Sequence, residues 1–134
     1  LPMCGVKADL RKVDMPHFIL ATREDHIVPW ESSYLGRKHL GGQSTFVLGA
    51  SGHIAGVINP AAKNKRSHWI NESNTAKPDE WLAGATEVPG SWWPRWSEWL
   101  RQFADGEIAA RGRLGSKKYQ PGEPAPGRYV KEKA

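Results

Sequence analysis

The chain has 134 residues, enough for one ordinary domain with a single core. Its 39% hydrophobic and 25% charged composition, with seven tryptophans, excludes a disordered polar chain and a collagen-like repeat, and its single cysteine excludes an internal disulfide. The net charge of +5 is unevenly placed: Lys/Arg and Asp/Glu balance at twelve each up to Ala110, whereas residues 111–134 carry seven basic side chains against Glu123 and Glu132.

Leu1 stands where an initiator methionine would, so the chain reads as a processed product or part of a longer polypeptide. The longest uncharged stretch, Gly41 to Ala62, is broken by polar residues and Pro60, and no membrane span is expected. His17 to Thr22 is a short continuous apolar run, the pattern of a strand buried on both faces. Arg23 to Pro29 is a polar loop at that strand's carboxyl end. Glu31 to His39 reads as a helix, with Glu31 matching the positive end of its dipole, and Gly41-Gly42 stops it. Thr45 to Leu48 is a second β-type run, followed by the small-residue loop Gly49-Ala50-Ser51-Gly52. Strand, loop, helix and strand in this order predict a parallel pair.

Beyond Pro60, Pro78 with Asp79 and Glu80 opens a helix that runs to about Ala85. Trp92, Trp96, Trp99, Leu100 and Phe103 recur at helical spacing, with Arg95, Glu98, Arg101 and Gln102 opposite, and Pro94 suits the opening turn. From Gly112 four glycines and three prolines predict an extended or irregular tail. The organisation expected is a domain portion over 1–110 and a basic Gly/Pro-rich tail over 111–134. The two apolar runs read as interior strands that need neighbours on both sides, which this chain is not expected to supply. The fold class is therefore α/β, as the C-terminal part of an α/β-hydrolase-like fold: its last parallel strands with flanking helices, an incomplete sheet.

Asp25 and His53 each follow a predicted parallel strand at its carboxyl end, the edge where functional groups of open α/β sheets converge. A carboxylate beside an imidazole fixes its tautomer and raises the basicity of the distal nitrogen, which is the acid–histidine half of a nucleophilic triad. In α/β-hydrolase-like chains the order is nucleophile, acid, histidine, so Asp25 before His53 leaves the nucleophile upstream of Leu1. At this spacing alone, an ordinary hydrogen-bonded loop pair is the better reading.

Several segments, in order along most of the chain, carry a resemblance. Arg23-Glu24-Asp25-His26-Ile27-Val28-Pro29-Trp30 resembles the acid-bearing segment of polyhydroxyalkanoate synthases, and Gly49-Ala50-Ser51-Gly52-His53-Ile54-Ala55-Gly56-Val57-Ile58-Asn59-Pro60 their histidine-bearing one. Lys63-Asn64-Lys65-Arg66-Ser67-His68-Trp69, Gly90-Ser91-Trp92-Trp93-Pro94 and Glu123-Pro124-Ala125-Pro126-Gly127-Arg128-Tyr129-Val130-Lys131 are similar too. The likeness is to the class I, single-subunit synthases of poly(3-hydroxybutyrate). It implies an α/β-hydrolase core and transfer of (R)-3-hydroxyacyl units from coenzyme A to a growing polyester. A Cys-His-Asp constellation would carry that chemistry, with His53 the base that activates the thiol and Asp25 its acid partner, assisting the 3-hydroxyl of the incoming unit. Coenzyme A enters as the thioester substrate, with no further cofactor. Implied partners are the missing N-terminal part of the parent chain, a second parent copy as a homodimer and the granule surface, at cytoplasmic polyhydroxyalkanoate granules.

The chain departs from that pattern in one respect. The family's nucleophile lies in Gly-x-Cys-x-Gly, whereas Cys4 stands in Pro2-Met3-Cys4-Gly5-Val6. It reads as a small buried packing residue, and the chain alone is expected to be inactive.

His26 shapes the site or is a loop residue, and Trp30 lines its entrance or packs. His17, His39 and His68 are expected at the surface or in packing, and the Trp92/Trp96/Trp99 stripe in the core or a subunit contact. No tight His/Cys pair suggests a metal, and no glycine-rich loop ending in Lys-Ser/Thr suggests a nucleotide hydrolase. The basic tail and Lys63, Lys65 and Arg66 either meet phosphates, such as those of coenzyme A, or are solvated; they lack the interleaved aromatics of a nucleic-acid binder. Two competing readings are an esterase or depolymerase fragment using the same Asp–His pair, and a non-enzymatic segment binding granules or a partner through the Trp stripe and tail.

Overall fold

A computed structural model describes residues 2–133. The chain opens with a hairpin, β1 (Pro2–Met3) against β2 (Val6–Lys7), antiparallel. Its two-residue turn puts Cys4 and Gly5 at φ of 47° and 78°, as tight hairpins require. Cys4 is exposed, not buried, because such a turn projects its side chains into solvent.

The main sheet has four strands in the order β3 (His17–Thr22), β4 (Ser44–Gly49), β5 (Ser67–Ile70) and β6 (Thr86–Pro89). β3 and β4 pair in parallel from His17↔Ser44 to Thr22↔Gly49, as their apolar runs predict. β5 and β6 continue the sheet antiparallel, with Leu48 opposite Trp69 and Trp69 opposite Glu87. The expectation that the chain would leave both apolar strands short of neighbours is thus corrected. β4 is an interior strand completed by β5, and among the described residues no strand pairs with the outer edge of β3.

Helices cover both faces of this mixed sheet. α1 (Trp30–Gly36), prolonged by a 3-10 turn over Arg37–His39, and α2 (Pro78–Ala83) share a core with the face of β3 and β4 that carries Ala21, Phe46 and Leu48. Trp30, Tyr34, Phe46 and Trp81 are all buried there, and Trp30 therefore packs in the core. The Phe46 ring meets the edges of Tyr34 and Trp81, both at 5.0 Å between centroids and near 90°, the arrangement aromatic quadrupoles favour. The alternate residues of the strands point the other way, and there Phe18 meets Trp92 at 6.1 Å and Trp99 at 5.5 Å. α3 (Trp93–Arg101) lies on this second side. The Trp stripe is therefore split: Trp92 is buried, whereas Trp96 is 41% exposed.

The chain divides into two compact units, one running to Phe103 and the other starting at Ala104. The second unit has no strand or α-helix among its described residues, and nearly all of it is exposed. Its local order includes an ion pair between Glu123 and Arg128 at 3.2 Å, a turn in which Ser116 N–H donates to the Tyr119 carbonyl at 2.7 Å, and a 3-10 turn over Tyr129–Lys131. No helix among the described residues is long and apolar enough to cross a membrane.

Candidate active site

β3 and β4 end side by side, so the loops that leave them start as neighbours. Arg23 N–H donates to the Gly49 carbonyl at 2.8 Å and Glu24 N–H to that of Ser51 at 3.0 Å, which ties the two loops together. Asp25 closes a turn in the first loop, its own N–H donating to the Thr22 carbonyl at 3.2 Å. In the second, Ser51 takes a φ of 73°, a conformation that costs a non-glycine residue energy and is found where surrounding contacts enforce it. His53 then enters a single helical turn, marked by Gly56 N–H to Gly52 O at 2.9 Å and Ile58 N–H to Ile54 O at 2.9 Å.

The two predicted side chains meet. His53 Nδ1 lies 2.8 Å from Asp25 Oδ2, with the Asp25 side chain 9% exposed and that of His53 46%. The other carboxylate oxygen, Oδ1, accepts the backbone N–H groups of Val28 at 3.0 Å and Ile27 at 2.9 Å. The Val28 N–H and the His53 imidazole, with a smaller contribution from the Ile27 N–H, outweigh burial and pull the Asp25 carboxyl down to about 2. An ionised Asp25 accepts, so the ring proton of a neutral His53 sits on Nδ1 and the distal Nε2 is left as the free base.

Thr22, Ser33, Val28 and Val57 line a recess of about 230 Å³ together with Asp25 and His53. The buried Thr22 hydroxyl faces no hydrogen-bond partner among the described residues. A larger cavity of about 560 Å³ lies at the opposite ends of the strands, lined by Ser44, Thr45, Arg95 and Trp99, and shares no residue with this recess.

Of the other singled-out residues, His26 and His39 are exposed. His68 is buried, its Nδ1–H donating to the Gly90 carbonyl at 3.1 Å, and burial lowers its pKa, keeping the ring neutral. The described residues hold no group of three or more His, Cys, Asp or Glu placed to bind a metal.

Gly56 fixes how closely the His53 turn packs. A Cβ there would lie 2.5 Å from the Ala50 carbonyl oxygen and 2.5 Å from Thr22 Cγ2. Gly56→Ala therefore lifts the turn off the strand ends. We expect it to cost about 1–3 kcal/mol of stability, read by urea denaturation.

Over its full 134 residues the chain is 55% identical to the poly(3-hydroxyalkanoate) polymerase subunit PhaC of Cupriavidus necator, covering 23% of that protein. It is 43% identical over 129 residues, 96% of this chain, to the corresponding subunit of Rhizobium etli, covering 20% of it. With poly(3-hydroxyalkanoate) polymerase 2 of Ectopseudomonas oleovorans it shares 42% over 130 residues, 97% of this chain and 23% of that protein. No family model matches the chain. The chain thus matches, along its whole length, a part of the poly(3-hydroxyalkanoate) polymerases, and spans under a quarter of the length of these relatives.

Proposed function

From this kinship with the poly(3-hydroxyalkanoate) polymerases, we propose that the chain is the C-terminal catalytic portion of such an enzyme. It supplies the acid and the base for transfer of (R)-3-hydroxyacyl units, 3-hydroxybutyryl above all, from coenzyme A to a growing polyester. The observation that carries the reading is the 2.8 Å contact between His53 Nδ1 and Asp25 Oδ2 at the ends of two parallel strands. The attacking thiol belongs to a part of the parent polypeptide outside this segment.

In this reading His53 Nε2 takes the proton of that thiol, and the thiolate attacks the acyl carbon of the coenzyme A thioester. A carbon–sulfur bond to the enzyme forms, the bond to coenzyme A breaks, and the proton passes through His53 to the departing coenzyme A thiolate. The exchange is nearly isoenergetic, one thioester for another. The 3-hydroxyl of a second unit then attacks the enzyme-bound acyl group, an ester forms, and the hydroxyl proton returns through the Asp25–His53 pair to the cysteine. Asp25, held ionised, stabilises the imidazolium in both half-reactions.

The outer edge of β3, with which no strand among the described residues pairs, supports the finer fold assignment: an α/β-hydrolase core in which a preceding parallel strand of the parent lies beside His17–Thr22. Trp96, Leu100 and Phe103 leave an apolar ridge on and just beyond α3, of the kind a second parent copy or a cytoplasmic polyester granule would cover. The test is thiol acylation by a hydroxybutyryl-CoA analogue, in the parent polypeptide and in this chain alone. Label is expected on a parent cysteine outside this segment, with the isolated chain unlabelled. Acylation of Cys4 would overturn the reading.

A further inference from the structure

We propose that Trp92 and Trp93 are positioning residues for His53: their two indole N–H groups clamp the Val57 carbonyl and so hold the turn that presents the imidazole. The inference rests on the catalytic reading of the Asp25–His53 pair and goes beyond it to what keeps the pair assembled.

His53 sits on the long connection between β4 and β5, residues 50–66, which contains turns and no strand. Its side chain is 46% exposed and Asp25 is its hydrogen-bond partner, so the ring's position follows from where its backbone turn is held. That turn runs from Gly52 to Ile58, and the carbonyls at its far end lack the partners that a longer helix would give them. Val57 O receives three N–H groups: the local one of Asn59 at 3.1 Å, which closes the turn, and two from outside it, Trp92 Nε1 at 3.2 Å and Trp93 Nε1 at 3.1 Å. Two indole donors from adjacent residues converging on one main-chain carbonyl, some 35 positions earlier in the chain, fix that carbonyl's direction as well as its distance.

The clamp is itself anchored. The buried Ser91 hydroxyl donates to the Asn59 carbonyl, just past the turn, and Ser91 N–H donates to Asn64 Oδ1 at 3.0 Å. Gly90 N–H donates to the Arg66 carbonyl at 2.7 Å, and His68 on β5 donates to Gly90 O. Gly90 has a φ of 93°, and a Cβ there would lie 2.2 Å from Asn64 Oδ1, so this close approach needs glycine. The Trp92 ring rests on Phe18 of β3. The Gly90–Trp93 segment thus connects the His53 turn to both the parallel and the antiparallel parts of the sheet.

The experiment uses the full-length parent enzyme with Trp93→Phe, which keeps a ring at a half-buried position and deletes one N–H. His53→Ala is the reference. The expected result is a fall in kcat of about tenfold with KM within about twofold of the parent, because a loosened base reacts less often without changing substrate binding. The low-field proton resonance of the His53 Nδ1–H···Asp25 bond, assigned by its loss in His53→Ala, broadens in Trp93→Phe. Should Trp93→Phe fail to fold, Trp92→Phe removes the other N–H and is read in the same way. If His53→Ala is inactive while the Trp variant keeps the parent kcat, or loses it with the resonance unchanged, the clamp is overturned and the Asp25–His53 reading survives. If His53→Ala retains activity, that reading fails and the clamp falls with it.

Discussion

Replacing His53 by alanine in the full-length parent is expected to reduce acyl transfer from coenzyme A by about 10³-fold or more, measured as released coenzyme A thiol. Asp25→Asn should cost a comparable factor with the fold intact, because it keeps the shape and deletes the charge. An amide at this position either donates to Nδ1, which puts the imidazole in the wrong tautomer, or accepts without stabilising the imidazolium. The pH dependence of folding gives a check that does not need substrate. The Asp25 carboxyl falls from an ordinary 3.8 to about 2 in the fold, held by the Val28 N–H and His53 and to a smaller extent by the Ile27 N–H. A depressed carboxyl contributes stability in full above its unfolded pKa, and that contribution is lost as pH falls through its folded one. The stability of the chain should therefore decline from about pH 4 towards pH 2, and Asp25→Asn should make that decline shallower. An unchanged slope would show that the carboxylate is not held as described.

How the elements were legible depends on their length and on which neighbour makes them. His17–Thr22 and Thr45–Leu48 announce themselves as continuous apolar runs because each is covered on both faces, and their parallel pairing follows from the helix between them. Pro78 and Pro94 mark the starts of the two later helices for a local reason, the fixed φ of proline in a first turn. β5 and β6 gave no such signal. They have four residues each, their burial is mixed, and they are strands because β4 offers an edge to pair with, which is tertiary information.

The site divides in the same way. Strand ends and chain order point to Asp25 and His53 as a pair, although their spacing alone favours an ordinary loop pair. The two N–H groups of Asp25's own loop, which hold its carboxylate, have no pattern in a single sequence. Trp92 was legible as part of an apolar helical stripe, and the same periodicity hid its second use as a donor to Val57 O. Cys4 reads as buried because a small apolar residue next to β-type runs resembles a core position, whereas the two-residue turn directs it outward.

Phe46→Ala should destabilise the first unit by about 3–5 kcal/mol, the largest stability effect expected of a single core residue here. The ring is 4% exposed and closes a set of four aromatics: it touches Tyr34 and Trp81 edge-on, and Trp30 lies 6.4 Å away. Those neighbours come from α1 and α2, short helices of seven and six residues that have little stability of their own. They cannot move inward without giving up Arg37 Nη2 to Thr75 O at 2.6 Å and Tyr34 Oη to the same carbonyl at 2.9 Å. The site left by the ring therefore stays open and its cost is not relaxed away. Phe46→Leu, which keeps most of the volume, should cost clearly less. Urea unfolding followed by the fluorescence of Trp30 and Trp81 reads both, with Ile108→Ala, 96% exposed, expected within about 0.5 kcal/mol of the parent as the reference. Since β4 carries Phe46 and delivers the chain into the His53 loop, a loss below about 1 kcal/mol would mean that the aromatic set does not brace this strand, and that the Asp25–His53 pair takes its rigidity from the loop contacts alone.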